Sequence, residues 1–416
     1  MLKIIPVSDF DLASLAHSLD AETILQAQAI VDDVRAGGES SIRKYAEKFN
    51  ERTSDQPLLI PREELDAALV RISDSDSDLL HRVSARIEKF ANAQLNCLSE
   101  LNTEVPGGKA GHTIEPIHHA GCYAPGGRYS LPSTVMMTAV TARVAGCKRV
   151  TVASPNPTDI VLATAAVSGA DAVLAFGGAH AIAAMAYGFD GFERCDLIAG
   201  PGNRYVTAAK KIVHGDCGID MMAGPSELVL VADESADPET VAADLLGQAE
   251  HDVDARPFLV TTSETFAHSV NEELSNQVAQ LPSCDTATTS IENNGAAIIC
   301  DSIETAIEIC NRIAPEHLEL HVENAALIAK QIRNAGCIFV GHQSAEVFGD
   351  YGVGPNHTLP TAGTARFSAG LNVFTFLRIR TWLELEKAPS ELIADTARLA
   401  ELEGLIGHQK SALRRE

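Results

Sequence analysis

Between residues 119 and 215 the chain repeats one pattern: a short apolar run, a turn of Gly or Pro, then a stretch with helical periodicity. His119–Ala124 breaks at Pro125-Gly126-Gly127 and is followed by a predicted helix, Ser133–Ala145. Strand Arg149–Ala153 closes at Ser154-Pro155 and leads to helix Asp159–Ser168. Strand Ala172–Ala175, turn Gly177-Gly178 and helix Ala179–Tyr187 come next, then strand Asp196–Ala199, turn Gly200-Pro201-Gly202 and helix Arg204–Val213. Strands separated by helices pair through crossovers, so this pitch dictates a parallel sheet.

A second α/β unit opens at strand Leu228–Val231. Helix Pro238–Ala249 follows, with Asp237 as N-cap and Pro at the first helical position. Strand Phe258–Thr261, helix Glu264–Gln280, strand Ala296–Ile299, helices Ile303–Ile313 and Ala325–Asn334 and strand Cys337–Val340 complete it. The first hundred residues read as helical over Ala21–Ala36, Ser40–Phe49 and Ser75–Leu101, behind a short amphipathic helix, Asp9–Leu19, in an N-terminal arm. Phe348–Leu371 reads as a long Gly/Pro/Asn-rich loop, a kind of segment that often carries function. A helical tail follows Phe374, with Trp382 and a long helix near Ser390–Ala412. No repeat is visible between the two units.

Composition narrows the function. The chain has 416 residues, 45% of them hydrophobic, enough for two or three domains. A formal net charge of −24 with no Lys/Arg run argues against nucleic acid. The nine cysteines are scattered and never spaced C-x-x-C, which argues against a disulfide framework or a thiolate zinc knot. With no signal-peptide pattern at the N-terminus and no apolar run of roughly 18 residues, a cytoplasmic location and no membrane partner are expected.

Several polar groups suggest chemistry. Gln248 and His251 lie three apart at the end of a helix whose apolar stripe is Val241, Leu245 and Leu246, so both can face one metal ion; a polar helix end capped by His251 is the alternative. Glu316-His317, at a helix–loop boundary, pairs an acid with a group titrating near neutrality, suited to proton transfer, or is a surface pair. Asp350 and His357 sit seven apart in the glycine-rich loop, a hard oxygen ligand and a hydrogen-bond donor. Glu403 and His408 lie on the C-terminal helix. The glycine turns follow strands and precede helices, where amides meet phosphates, yet no G-x-G-x-x-G fingerprint accompanies them. Cys122 or Cys147 as a thiohemiacetal nucleophile lacks a partnering histidine motif.

Seven phrases occur in order: GCYAPGGRYSLPSTVMMTAVTARVAGC, FGGAHAIAAMAYG, AGPGNRYVTAAK, GIDMMAGPSELVLVAD, DLLGQAEHD, APEHLEL and GDYGVGPNHTLPTAGTARFS. Together they resemble the histidinol dehydrogenase family from about residue 20 to 410. The resemblance implies two incomplete Rossmann-like parallel-sheet domains with helices on both faces, plus a small N-terminal arm and a C-terminal helical tail. It divides the chain into an arm (1–18), a substrate and metal domain (19–118 with 229–372), an NAD-binding domain (119–228) and a tail (373–416) that reaches a partner subunit.

The same resemblance assigns roles. One zinc ion per subunit would be held by Gln248, His251, Asp350 and His408, the last in trans within a homodimer. Substrate contacts match Ser226, His317, His357 and Glu403, with Glu403 also from the partner, and the zinc ligands touch substrate through the ion. Tyr123, His180 and Asn203 match cofactor positions, His180 standing where the family usually has glutamine. The implied reaction is oxidation of L-histidinol to L-histidine by way of the bound aldehyde, with two NAD. His317 would accept the hydroxyl proton and Glu316 would activate water. A relative acting on another small alcohol, such as a sulfonated diol, is the rival reading; Glu403 suits a cationic amine and opposes a sulfonate. A non-catalytic paralogue is a third reading, which the retained Glu316-His317 pair argues against.

Overall fold

The computed structural model describes residues 1–15, 19–126 and 130–416. Gly127 of the first turn, and part of the expected Asp9–Leu19 helix, lie outside the described residues. Two six-stranded sheets dominate. The first runs Leu59–Pro61, Ala172–Leu174, Arg149–Ala153, His119–Tyr123, Leu197–Ala199, Gly218–Ile219; the second runs Lys3–Pro6, Ala296–Ile299, Arg256–Thr261, Glu227–Ala232, His317–His321, Cys337–Val340. In each, five parallel strands adopt the spatial order third, second, first, fourth, fifth, and a strand from earlier in the chain covers the edge beside the third. That edge strand is antiparallel in the first sheet and parallel in the second. The repeat invisible in sequence is thus legible in topology.

The helices between strands bury nearly continuous apolar faces, as parallel sheets covered on both sides require. The four strand–helix alternations expected over 119–213 stand within a residue or two of their expected limits. Other expectations are corrected. Helices Ala21–Gly37, Arg62–Arg71 and Asp74–Leu95 pack on the first sheet's helices, and Asp74–Leu95 also meets the 352–354 turn, where Arg86 Nε donates to the Gly352 carbonyl. Ala27, Val31 and Val34 share one core with Ile182 and Ala208, and Leu65, Val83 and Ile87 share another with Val135 and Ala163, so the helices of 19–95 group with 119–228. The N-terminal arm is not free of the core, because Lys3–Pro6 is an edge strand and Leu2 is buried. The described part of Asp9–Leu19 forms only short 3-10 turns.

The tail is not wholly helical. Leu377–Leu385 pairs antiparallel with Gly108–Pro116, which pairs with Leu101–Val105, and Trp382 lies opposite Gly111 on that third sheet. Its alternation of Leu377, Ile379, Thr381 and Leu383 with Arg378, Arg380 and Glu384 is a strand period. Beyond it, Ser390–Leu402 and Ile406–Leu413 are separate helices that pack against each other, broken where Gly404 takes φ 76°.

The segment 356–362 stitches the units together. Asn356 Nδ2 donates to the Met137 carbonyl on helix Pro132–Ala145, and Ala362 N donates to Glu227 Oε1 at the start of a second-sheet strand. The helix that follows the first sheet's His119–Tyr123 strand therefore meets the N-terminal ends of the second sheet's strands.

Candidate active site

The site is built where helix Pro238–Ala249, strand His317–His321 and the short helix Glu346–Asp350 meet. Asp237 caps the first helix, accepting from Thr240 N. Ala314 ends helix Ile303–Ile313 in the left-handed region, φ 54°, a conformation unfavourable for a residue with a Cβ. Pro315 then prevents the helix from resuming. The chain so turned enters the strand at His317, between Glu227–Ala232 and Cys337–Val340. The pair expected at a helix–loop boundary thus lies at the start of a central, buried strand.

Glu316 Oε2 accepts from Ser226 Oγ at 2.7 Å and from Glu227 N at 2.9 Å. Burial pushes its carboxyl well above the usual range, against those two donors. Ser226 is therefore bonded to the acid. His317 Nδ1 lies 3.2 Å from the Glu227 carbonyl oxygen. A carbonyl only accepts, so Nδ1 carries the proton and Nε2 holds the lone pair. Burial pushes His317 down to about 3, leaving it neutral over the physiological range.

Around this ring stand three carboxylates. Glu346 Oε1 is 3.4 Å from His317 Nδ1, Glu316 Oε2 is 3.7 Å from the same atom, and Asp350 Oδ1 is 3.9 Å from Nε2. His251 Nε2 is 3.7 Å from Asp350 Oδ2, and His251, Glu346 and Asp350 bring one ligating atom each within 4.8 Å of one another. Burial pushes Asp350 up to about 6 and Glu346 well above its ordinary value, the neighbouring acids adding to the latter shift. Gln248 is 1% exposed, and both its side-chain oxygen and nitrogen are buried without a hydrogen-bond partner. An orphaned amide three residues from His251, beside an acidic cluster short of positive charge, fits a divalent cation.

His357 donates from Nδ1 to the Asp350 carbonyl at 3.0 Å, and its Nε2 lies 3.3 Å from Thr134 Oγ1, so both ring nitrogens are engaged. Burial pushes it down to about 4. Glu403 and His408 are exposed on the tail, outside the cluster around His251. Glu346 was not among the residues singled out from sequence; it lies just ahead of the Phe348–Leu371 stretch and beside no other titratable motif.

The cofactor positions divide. Asn203 is exposed and caps helix Arg204–Val213, accepting from Tyr205 N and Val206 N. Tyr123 is nearly sealed, its hydroxyl accepting from Gly178 N at 3.0 Å. His180, the third expected cofactor position, is 0% exposed; its ring stacks on Phe176 and Phe49, and Nε2 bonds Glu51 Oε2 at 2.8 Å. Glu51 in turn accepts from Gly177 N, so His180 braces the glycine turn from within. Cys122 and Cys147 are buried thiols, each pushed up to about 12, which makes them poor nucleophiles.

The fold is thus two mainly parallel sheets flanked by helices, with a buried neutral histidine in the second sheet beside an acidic cluster that fits a divalent cation. The sequence profile of the histidinol dehydrogenase family matches residues 16–416, and the chain belongs to that family. It is 41% identical over 399 residues to the histidinol dehydrogenase of Parasynechococcus marenigrum, covering 94% of this chain and 90% of the relative. To that of Geobacter sulfurreducens it is 42% identical over 389 residues, covering 92% and 90%. The crystal structure of histidinol dehydrogenase from Elizabethkingia anophelis superposes with a TM-score of 0.91 at 34% identity, covering 100% of this chain and 98% of that one. Among the described residues no helix is long and apolar enough to cross a membrane.

Proposed function

We propose that this protein oxidises L-histidinol to L-histidine in the cytoplasm, with His317 as the proton acceptor. The observation that carries the mechanism is His317 itself: a buried, neutral ring whose Nδ1 is committed to the Glu227 carbonyl while Nε2 faces the Asp350 side. When bound, zinc supplies a template that fixes the amino alcohol, and NAD supplies the hydride acceptor for each of two oxidations.

The chain's own groups do the rest. Gln248, His251 and Asp350 would hold the ion together with His408 of a second copy, whose Glu403 would meet the substrate. Support for that exchange is the tail itself, which exposes Leu399, Leu402, Leu405 and Ile406, while Phe348, Tyr351 and Val353 stand exposed around Asp350. His317 Nε2 takes the hydroxyl proton in the first oxidation. Glu316, anchored by Ser226, takes a proton from water so that the aldehyde can be hydrated, and His317 accepts again in the second. His357 orients Asp350 through its backbone carbonyl and stands beside the substrate. Asn203, at the mouth of the first sheet, and Tyr123, behind the turn, serve the NAD side, with His180 supporting the turn.

The test is NAD reduction by the zinc-loaded protein with L-histidinol and, separately, with a sulfonated diol. The reading requires two NADH per histidinol consumed. One NADH per substrate, or turnover with the diol and none with histidinol, overturns it.

A further inference from the structure

Behind the proton acceptor, on the same face of its strand, lies a second polar set that the reaction does not use. Strand alternation puts Glu319 and His321 on the side of His317, while Leu318 and Leu320 enter the apolar core. Asp244 faces them from helix Pro238–Ala249, one turn before Gln248. One ligating atom from each of Asp244, Glu319 and His321 lies within 4.8 Å of the other two.

These atoms converge without bonding. His321 Nε2 is 3.7 Å from Glu319 Oε2 and 3.9 Å from Asp244 Oδ2, beyond hydrogen-bond reach. All three atoms are buried and none has a hydrogen-bond partner. Glu319 is 0% exposed and His321 1%. Glu319 keeps its other oxygen for Glu346 N, at 2.5 Å, which aims Oε2 at the gap. Among the described residues no Lys or Arg forms an ion pair with any of the three. Burial raises both acids and lowers the imidazole, so each group sheds charge for want of a counter-charge.

We propose that Asp244 Oδ2, Glu319 Oε2 and His321 Nε2 form a second, buried metal site that takes a zinc-class divalent ion, separate from the one at His251 and Asp350. One imidazole and two carboxylates make a mixed nitrogen–oxygen set of the kind zinc accepts, and two negative charges neutralise a dication. Donors of a tetrahedral ion with bonds near 2.1 Å stand about 3.4 Å apart, so the two His321 distances, 3.7 and 3.9 Å, shorten by a few tenths of an ångström on the ion, and the two carboxylate oxygens, within 4.8 Å of each other, close onto it as well. The bound ion ties the helix carrying Gln248 to the strand carrying His317, and through Glu319 to the backbone of Glu346. Its role is to hold those elements in register. The site does not depend on which alcohol the enzyme oxidises.

The test counts metal. Wild type, His251→Ala, His321→Gln and the double variant are loaded with zinc chloride, desalted and measured by mass spectrometry. The expected contents per chain are two, one, one and none. Crystals of the zinc-loaded wild type should give an anomalous peak between Asp244, Glu319 and His321, and this arm decides the matter even if His321→Gln fails to fold. One equivalent in wild type, unchanged by His321→Gln, or an anomalous map without that peak, overturns the proposal.

Discussion

His317 directs Nδ1 at the carbonyl oxygen of Glu227, 3.2 Å away, where the second sheet's first and fourth strands lie side by side. The bond fixes the tautomer, and it is supplied by backbone, so no side-chain substitution at 227 abolishes it directly. The site's proton chemistry is thereby written into the register between two strands. Three consequences for the neighbouring groups can be measured.

Ser226 donates to the same Glu316 oxygen that accepts from Glu227 N. Ser226→Ala removes one of those two donors from a buried acid, at about 1.5–3 kcal/mol for a bond to a charged acceptor. The Glu316 carboxyl, already raised, rises further. The expected result is lower turnover whose acid limb moves to higher pH, measured as a kcat profile; an unmoved limb would separate Ser226 from the acid.

Gln248 carries two buried polar atoms with no partner. Gln248→Met keeps the volume and removes both. Metal-free protein should then gain about 1–3 kcal/mol, while zinc affinity falls roughly 10- to 100-fold, by analogy with lost metal-site partners. Thermal melts with chelator and with added zinc read both effects. A variant destabilised without metal and unaltered in zinc affinity would show that the amide serves packing alone.

Raised carboxyls make metal binding depend on pH. Asp350 is pushed up to about 6 in the folded chain, from 3.8. Its raised value gives a stability contribution that is complete below about 4 and lost as pH rises through about 6. Zinc removes that penalty by replacing the proton, so affinity and the zinc-induced rise in Tm should both be larger at pH 7.5 than at pH 5.5. Calorimetry in two buffers of different ionisation enthalpy should register proton release on binding at the lower pH. A zinc effect independent of pH would place the ion away from Asp350.

Lys210 lies under the Gly200–Asn203 turn, donating to the Gly200 carbonyl at 2.9 Å and to Asp220, which accepts from Gly200 N at 2.7 Å. Both charges are sealed from solvent. Lys210→Met strands Asp220 and should cost about 3–5 kcal/mol, read by denaturant unfolding. At temperatures where the variant stays folded, KM for NAD should rise more than KM for histidinol. Equal changes in both would detach the turn from the cofactor side.

The alternating unit from 119 to 213 was legible because each strand is short, apolar and closed by Gly or Pro, and local pattern there agrees with tertiary burial. Leu377–Leu385 was read as helical tail because Glu and Leu dominate its neighbourhood, although its own period is two. His317–His321 was missed for a related reason: alternation of polar and apolar residues over five positions is easily hidden beside Pro315. That alternation is the signal that would have found Glu319 and His321 as well. Gln248, His251, Asp350 and His317 are named from sequence, and the fold brings His251, Asp350 and His317 together. Glu346 and Asp244 were not, because their proximity is created by helix packing against the sheet. The exposure of His180 depended on whether Glu51, 129 residues away, turns inward to meet it, a contact no local pattern encodes.

Turnover and zinc content of His317→Asn, measured on one sample, test the central assignment most directly. Asparagine keeps a donor for the Glu227 carbonyl and removes the basic nitrogen. The account predicts unchanged zinc and a fall in kcat of about 100- to 10,000-fold. Turnover within a few-fold of wild type at full zinc occupancy would contradict it.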